Sequence, residues 1–478
     1  MNQLILTVFS LLTLVGCGGE QSKEPSNAAA NQEVTQETAS AAAPVEVQGI
    51  DDKNKGDKVG PVHLFGNLPA GRIGSTIYLY ESEGKNTTKI DSVKATELKY
   101  DFGTKNYGRG FYFIGDGDPN NMVAIILNPD EPQVHINFSS TRFDVGQTAI
   151  VSDENKAWFA YYAQDKQLQN QISNLRKSRS QSSFKERVDA QIAEKEKELR
   201  DLQLATAAAN PGTYLAKFLV LRKSAQPGDI NTFWNDIDFT DVSIIRSPII
   251  SDRIQDYMRA HSGGTETGYL NCIDKLKEKA SVNSQVLEFT LYTMLDGFYQ
   301  SGLENVSMYI LDNYIFDDDC GADLSDVVKQ RAQGIVNLQL GKTPPNFVIE
   351  KVDGGTLNLY NEVVKNQYTL VMFWASWCHK CEQEIPVLKG VYDVYKSRGF
   401  QVIGVSVDNQ RSQWEAAVNS NGLKWPNVSQ LNAWNSPVAK DYRVTQTPTL
   451  FLLNKNKEIV LKPKRIFEVE AFLKANMK

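Results

Sequence analysis

The stretch Tyr368-Thr-Leu-Val-Met-Phe-Trp-Ala375-Ser-Trp-Cys378-His-Lys-Cys381-Glu-Gln-Glu384-Ile-Pro386 decides how the C-terminal part of this chain folds. Residues 368–375 form a continuous apolar run of strand length, the pattern of a strand buried on both faces. A helix is predicted to begin around Cys378 and to stop near Gly399, with Lys396 and Arg398 in its last turn, where the helix dipole favours cations. A Cys-x-x-Cys therefore falls at the junction of a strand and a helix. The placement matters chemically. The attacking species of a thiol is its thiolate, and unshielded N–H groups at a helix N-terminus stabilise that anion, lowering a thiol pKa from ~8.5 toward neutrality. The two intervening residues put Cys381 one helical turn behind Cys378, close enough to close a disulfide. Cys378, nearer the helix start, is expected to attack, and Cys381, deeper in the helix, to resolve the mixed disulfide.

Downstream, strands and helices alternate. Residues 400–407 read as a second buried strand, 413–421 as a helix, Ser436-Pro437 as an N-cap and first-turn pair, 449–453 and 458–460 as strands, and 467–476 as a closing helix. The result is an α/β sheet flanked by helices. The segment Phe373-Trp-Ala-Ser-Trp-Cys-His-Lys-Cys-Glu-Gln-Glu-Ile-Pro386 resembles the thioredoxin-like modules of bacterial envelope reductases, the group that includes cytochrome c maturation proteins. Four features carry the resemblance: Trp377 before the first cysteine, the dithiol, Glu384 with Pro386 beyond it, and Thr447-Pro448 before the later strand. The opening Gly341-Lys-Thr-Pro-Pro-Asn-Phe347 also resembles the family's entry into the module.

The resemblance implies a thioredoxin-like fold for residues 339–478 and a cis Pro448 packed against the dithiol. Such a proline exposes the backbone of Thr447 for strand-like pairing with a substrate segment, which makes Trp377, Thr447 and Pro448 the candidate substrate-binding residues. It also implies that Glu384 moves the proton when Cys381 attacks. Glu384 lies three residues after Cys381, on the same helix face, and a partly buried carboxylic acid with a raised pKa can accept and return a proton near neutrality. The plainer alternative is an exposed glutamate favoured by the helix dipole. His379 and Lys380 both favour the Cys378 thiolate by charge, and a stabilised thiolate makes the disulfide more oxidising, so they are redox-tuning candidates that leave the redox direction open. For Lys380 a solvated helix-start lysine is the competing reading.

At the other end, Met1 to Gly16 hold an apolar run too short for a bilayer, which needs ~20 residues, but of the length of a signal-peptide core. Leu14-Val15-Gly16-Cys17 resembles the bacterial lipobox, after whose cleavage the cysteine is acylated, so residues 1–17 are assigned as a lipoprotein signal with Cys17 lipidated. The n-region Met1-Asn2-Gln3 departs from the pattern in lacking Lys and Arg, and an ordinary cleaved signal with a chance cysteine is the alternative. Residues 18–58, rich in Ala, Ser, Gln, Glu, Asn and Lys, bury too little apolar surface to offset their ordering entropy and are expected to be a flexible linker. This arrangement predicts a bacterial envelope protein with its domains outside the cytoplasm, facing the periplasm rather than the cell exterior.

Residues 59–150 read as a small antiparallel β-sandwich. Short β-branched and aromatic runs at 75–81, 110–114, 122–127 and 133–138 are separated by turn clusters such as Gly115-Asp-Gly-Asp-Pro-Asn120. Ile90-Asp91-Ser92 followed by Gly110-Phe111-Tyr112-Phe113 resembles a β-domain of unknown function that precedes thioredoxin-like modules in some envelope lipoproteins. From 151 to 338 the period turns helical. Trp158, Tyr161, Leu168, Ile172 and Leu175 form one stripe, the polar run Arg176 to Ser183 breaks it, and Val188, Ile192, Leu199 and Leu202 begin a second, giving a helical hairpin to Asn210. Further helices are predicted over 213–222, 284–300 and 323–338. Nothing in this region places acids, bases or ligands at a diagnostic spacing, so it reads as a scaffold or partner-binding domain.

At 478 residues the chain exceeds one core, and three folded units plus flexible sequence are expected. A net charge of −6 gives no nucleic-acid footprint. From Gly341 onward, 18 Lys/Arg against 12 Asp/Glu make that region +6 and the rest −12. The four histidines (His63, His135, His261, His379) are dispersed, so no metal site and no cofactor are predicted. Gly341-Lys342-Thr343 fails as a phosphate loop, because Val336 stands where the first glycine belongs. A thiol peroxidase pattern fails too, with Val371 and Ala375 at its Pro and Thr positions. Cys272 and Cys320 are either a disulfide or two separate buried thiols. Together these readings give a membrane-anchored thiol–disulfide oxidoreductase. Its expected partners are envelope protein thiols or disulfides and an upstream electron donor. The alternative is a binding or structural lipoprotein with an accessory redox module.

Overall fold

The computed structural model of the protein describes residues 57–179, 184–222, 229–317 and 324–477. Cys17, the expected linker up to residue 56, and Cys320 lie outside them.

The first unit holds eight strands: β1 Val59–Asn67, β2 Thr76–Glu83, β3 Asn86–Lys94, β4 Lys99–Gly108, β5 Gly110–Gly115, β6 Met122–Leu127, β7 Gln133–Phe138 and β8 Gln147–Val151. They form two four-stranded sheets, ordered β4-β1-β7-β8 and β3-β2-β5-β6. Val62, Leu64, Tyr100 and Ile136 of the first sheet share a core with Ile77, Leu79, Ile114 and Ile125 of the second, so this is a β-sandwich. One pairing departs from the antiparallel expectation, since β1 runs parallel to β7. The continuous apolar runs of β5 and β6 have a physical cause. Tyr112, Ile114, Val123 and Ile125 face the sandwich interior, whereas Phe111, Phe113, Met122, Ala124 and Ile126 face the helices that follow. A strand buried on both faces has no room for polar alternation.

Those helices are α1 Asp153–Arg179, α2 Lys185–Ala209, α3 Tyr214–Arg222, α4 Ile249–His261, α5 Glu266–Ala280, α6 Ser284–Ser301, α7 Glu304–Ile310 and α8 Asp326–Val336. β6 is an edge strand, and α1 covers it. Asn155 accepts from the Ile126 N–H at 2.8 Å and donates to the Ile126 carbonyl at 2.7 Å, while the Trp158 indole donates to the Ala124 carbonyl at 2.9 Å. An open strand edge is thereby hydrogen-bonded without another strand. The predicted break at Arg176 falls too early, because α1 continues to Arg179. Arg176 bonds Glu196 at 2.7 Å and Arg179 bonds Asp189 at 2.5 Å across the hairpin, so these polar residues face the partner helix as ion pairs. The apolar stripe of α1 also carries buried Asp165 and Gln169. Arg222 supplies Asp165 with a counter-charge at 3.0 Å and bonds the Tyr161 hydroxyl at 2.6 Å.

The C-terminal module contains β9 Val348–Glu350, β10 Thr356–Asn358, α9 Leu359–Val363, β11 Tyr368–Trp374, α10 His379–Tyr395, β12 Phe400–Ser406, α11 Arg411–Asn421, β13 Asn427–Ser429, α12 Pro437–Asp441, β14 Thr449–Asn454, β15 Ile459–Leu461 and α13 Ile466–Asn476. The main sheet runs β13-β12-β11-β14-β15. Its central strand, β11, is parallel to β12 and antiparallel to β14, and is buried from Thr369 to Trp374.

The seam between α8 and the module is stitched. Leu338 is fully buried in the module's core. The Gly341 N–H donates to the Ile459 carbonyl at 2.8 Å, and the Ile459 N–H to the Lys342 carbonyl at 2.9 Å. Lys462 bonds Glu304 of α7 at 2.7 Å and lies 4.4 Å from the centre of the Tyr299 ring of α6. Among the described residues no helix is long and apolar enough to cross a membrane.

Candidate redox site

The turn between β11 and α10 is set from below by a buried carboxylate. Asp408, just past β12, accepts the Ser376 N–H at 3.0 Å, the Ser376 hydroxyl at 2.6 Å and the Ser406 hydroxyl at 2.6 Å. Three donors satisfy a carboxylate that is only 1% exposed, which is how a buried charge becomes tolerable. The Val407 N–H also donates to the Trp374 carbonyl at 2.9 Å. The chain thus leaves β11 on a fixed path.

That path delivers Cys378 to the N-cap of α10, where its sulfur accepts the Cys381 N–H at 3.1 Å. The two cysteines form a disulfide with a Cα–Cα distance of 5.2 Å. When the bond is reduced, the same N–H points at the Cys378 sulfur and stabilises its anion. Cys378 is 6% exposed and Cys381 1%, so the N-cap sulfur is the one nearer solvent. Across from it, the Thr447–Pro448 peptide bond is cis, and the Cys378 sulfur lies 3.4 Å from the Thr447 carbonyl oxygen. Trp377 is 53% exposed beside the dithiol and meets Trp434 edge-on, with ring centres 5.9 Å apart.

His379 and Lys380 both lie exposed on the first turn of α10. His379 sits 3.3 Å from the Glu382 carboxylate, so part of any charge it carries is neutralised locally and, at an exposed site, screened. Glu384 faces a different partner from the one its spacing suggests. Its carboxylate accepts the Ile466 N–H at 2.8 Å and the Arg465 guanidinium at 3.1 Å, both at the start of α13. Arg465 is the N-cap residue of α13 but makes no side-chain cap, so Glu384 supplies from α10 the acceptor that this helix end lacks.

The structure therefore brings together Cys378, Cys381, Trp377, Thr447 and Pro448, keeps His379 and Lys380 at the rim, and turns Glu384 toward α13. Cys272 lies in α5, in the separate core of the helical unit. It is a buried cysteine outside any disulfide, and burial pushes its pKa up to about 11. Sequence reading missed Asp408, Trp434 and Arg465. Each acts across at least 32 residues of sequence, a range over which local spacing carries no signal. Among the described residues no group of His, Cys, Asp and Glu is placed to hold a metal ion.

A thioredoxin-like family profile matches residues 366–459. The thiol-disulfide oxidoreductase ResA of Bacillus anthracis is 31% identical over 123 residues, which cover 26% of this chain and 68% of that protein. ResA of Bacillus subtilis (strain 168) is 28% identical over 127 residues, covering 27% and 68%. Among solved structures, the thioredoxin domain of a thiol-disulfide oxidoreductase from Bacteroides vulgatus is 26% identical, covering 30% of this chain and 99% of that one at a TM-score of 0.28. A thioredoxin-like protein from Bacteroides caccae is 20% identical, covering 55% of this chain and 92% of that one at a TM-score of 0.33. By its C-terminal module the chain belongs to the thioredoxin-like thiol-disulfide oxidoreductases.

Proposed function

We propose that this protein is a lipid-anchored enzyme of the bacterial envelope that reduces or exchanges disulfides in envelope proteins, with apocytochrome c thiol pairs in its substrate class. The observation that carries the reading is the Cys378 sulfur at the head of α10, 3.4 Å from the carbonyl of Thr447 in a cis-proline loop. A substrate segment pairing with the Thr447 backbone would bring its own sulfur alongside.

In the reducing direction the Cys378 thiolate attacks one sulfur of a substrate disulfide. A Cys378–substrate bond forms, the substrate bond breaks, and a substrate thiolate leaves and takes a proton. The Cys381 thiol then loses its proton, and its thiolate attacks the Cys378 sulfur. The second substrate thiolate is released and the Cys378–Cys381 disulfide remains. Two electrons pass to the substrate, and a dithiol donor in the envelope returns them. Trp377 and Trp434 offer the apolar rim against which the substrate lies. Glu384 is assigned the proton on Cys381, which requires it to exchange its Arg465 contact for the reduced sulfur. His379 and Lys380 tune the thiolate. Cys17 carries the lipid, the segment from residue 18 to residue 56 gives reach, and the β-sandwich and helical units select partners, with Asp57, already paired to Arg246, belonging to the folded part.

The test is a trap. Cys381→Ser should accumulate mixed disulfides on Cys378 in cells, whose identification names the substrates. Radiolabelled palmitate should enter the wild type and not Cys17→Ser. Titration of the wild-type pair against glutathione assigns the direction. A dithiol inert to both thiols and disulfides, with no trapped adduct, would sink the enzymatic role.

A further inference from the structure

The loop that carries the cis proline is held from outside its own module. It begins at Arg443, directly after Tyr442, the C-cap of α12. Arg443 has a φ of +49°, in the left-handed region that non-glycine residues rarely occupy. Its guanidinium turns into the helical unit, where it donates to the Tyr292 hydroxyl of α6 at 2.7 Å and to the Arg331 carbonyl of α8 at 2.6 Å, and lies 3.4 Å from the Asp296 carboxylate. A Cβ at Gly334 of α8 would come within 3.3 Å of the guanidinium, so the absent side chain leaves the space that it occupies. Arg331 continues the chain of contacts by clasping Glu83 of β2 at 2.5 and 3.2 Å. Both Arg331 and Arg443 lie over the Tyr292 ring, at 5.3 and 5.8 Å. All three units of the protein are thus linked through the arginine pair Arg443 and Arg331.

The same loop reaches the dithiol. Thr445 lines a polar cleft at this junction, together with Thr87, Tyr292 and Asp296. Two residues later, Thr447 places its carbonyl 3.4 Å from the Cys378 sulfur. Thr447 is four residues from Arg443, at most about 14 Å along an extended chain. We infer that Arg443 is a positioning residue: it clamps the cis-proline loop to the upstream units, which thereby set how a protein disulfide is presented to Cys378. A small disulfide needs no pairing along Thr447 and bypasses this control. The inference rests on the oxidoreductase activity and adds a role for the upstream units in it.

The test uses the full chain, reduced, with 5,5′-dithiobis(2-nitrobenzoate) as the small disulfide and insulin as the protein disulfide. Arg443→Ala should raise KM for insulin about fivefold or more, keep kcat and the small-disulfide rate within about twofold, and leave the dithiol potential unchanged. Arg443→Lys, which keeps the charge toward Asp296 but not the fork, should restore part of the loss. Lys462→Ala removes another contact across the same seam, away from the loop, and should leave the insulin KM unchanged. If Arg443→Ala fails to fold, Tyr292→Phe removes one hydrogen bond alone and should still raise the insulin KM about twofold. An unchanged insulin KM in whichever of these two variants folds overturns the inference, as does a parallel loss on both substrates. A wild type inactive on both disulfides would instead remove the activity itself.

Discussion

The helical unit and the C-terminal module both bury polar groups, but to different ends. In the helical unit the buried carboxylates end on other groups of the interior, as Asp165 does on Arg222 and Tyr161. Glu154 likewise accepts the Leu215 N–H at 2.6 Å and the Asn128 amide at 2.9 Å. In the module the buried Asp408 holds a turn whose other side presents a sulfur. The two described kinds of cysteine repeat the contrast. Cys272 sits mid-helix in an apolar core with its pKa pushed up to about 11, whereas Cys378 sits where a helix offers an N–H to its sulfur. Burial alone therefore does not mark chemistry. What marks it is a buried frame that aims a reactive atom at an opening.

The largest expected effect breaks this contrast at its centre. Cys378→Ser should abolish disulfide reduction, while Cys272→Ser should keep it. On the reduced protein, iodoacetamide at neutral pH should label Cys378 and spare Cys272, as followed by mass spectrometry. Fast alkylation of Cys272 would erase the distinction. Next comes Asp165→Ala, which leaves Arg222 buried without its counter-charge and should cost about 3–5 kcal/mol in urea unfolding, with the small-disulfide rate of the surviving native protein unchanged. Glu384→Gln sharpens the comparison from the other side. Losing the charge at the start of α13 should cost about 1 kcal/mol. If Glu384 also moves the Cys381 proton, the pH profile of mixed-disulfide resolution should lose a limb. A flat difference across pH would leave the residue as a helix cap alone.

The smallest effect is a slope. Burial raises the pKa of Glu154 above its ordinary 4.5. The folded state then holds that proton more tightly than the unfolded chain, so stability falls as pH rises from the ordinary value through the raised one. Glu154→Gln, which does not titrate, should flatten this fall in denaturant midpoints measured between pH 4 and 7. An unchanged slope would show that the carboxylate is not desolvated as its burial indicates.

Legibility followed the range of the interactions. β11, β12 and β14 were readable because burial on both faces writes an unbroken apolar run, and α10 because its cap and the dithiol lie within four residues. β3, Asn86–Lys94, was not readable: its burial pattern has no fully buried residue, so its sequence reads as loop. Sequence alone ends α1 too early, because Arg176 and Arg179 look solvated until the facing Glu196 and Asp189 are known. At the site, the cysteines and Pro448 stood out locally. Asp408, Trp434 and Arg465 acquire meaning only when the fold brings distant segments together. Glu384 shows the same limit, since its helix face was deducible but the helix waiting opposite was not.

The stitched seam at Leu338 and Gly341 has a consequence for cooperativity. A cut placed at the start of the thioredoxin-like sequence would remove the Leu338 side chain from the module's core and leave Gly341 and Lys342, which hydrogen-bond the flank of β15, at a free chain end. The smallest redox fragment that keeps its own packing therefore begins upstream of Leu338, in sequence that otherwise belongs to the last helix of the middle unit. Heat or denaturant should register this shared residue as coupled melting, with the dithiol module and its neighbour losing structure in one transition.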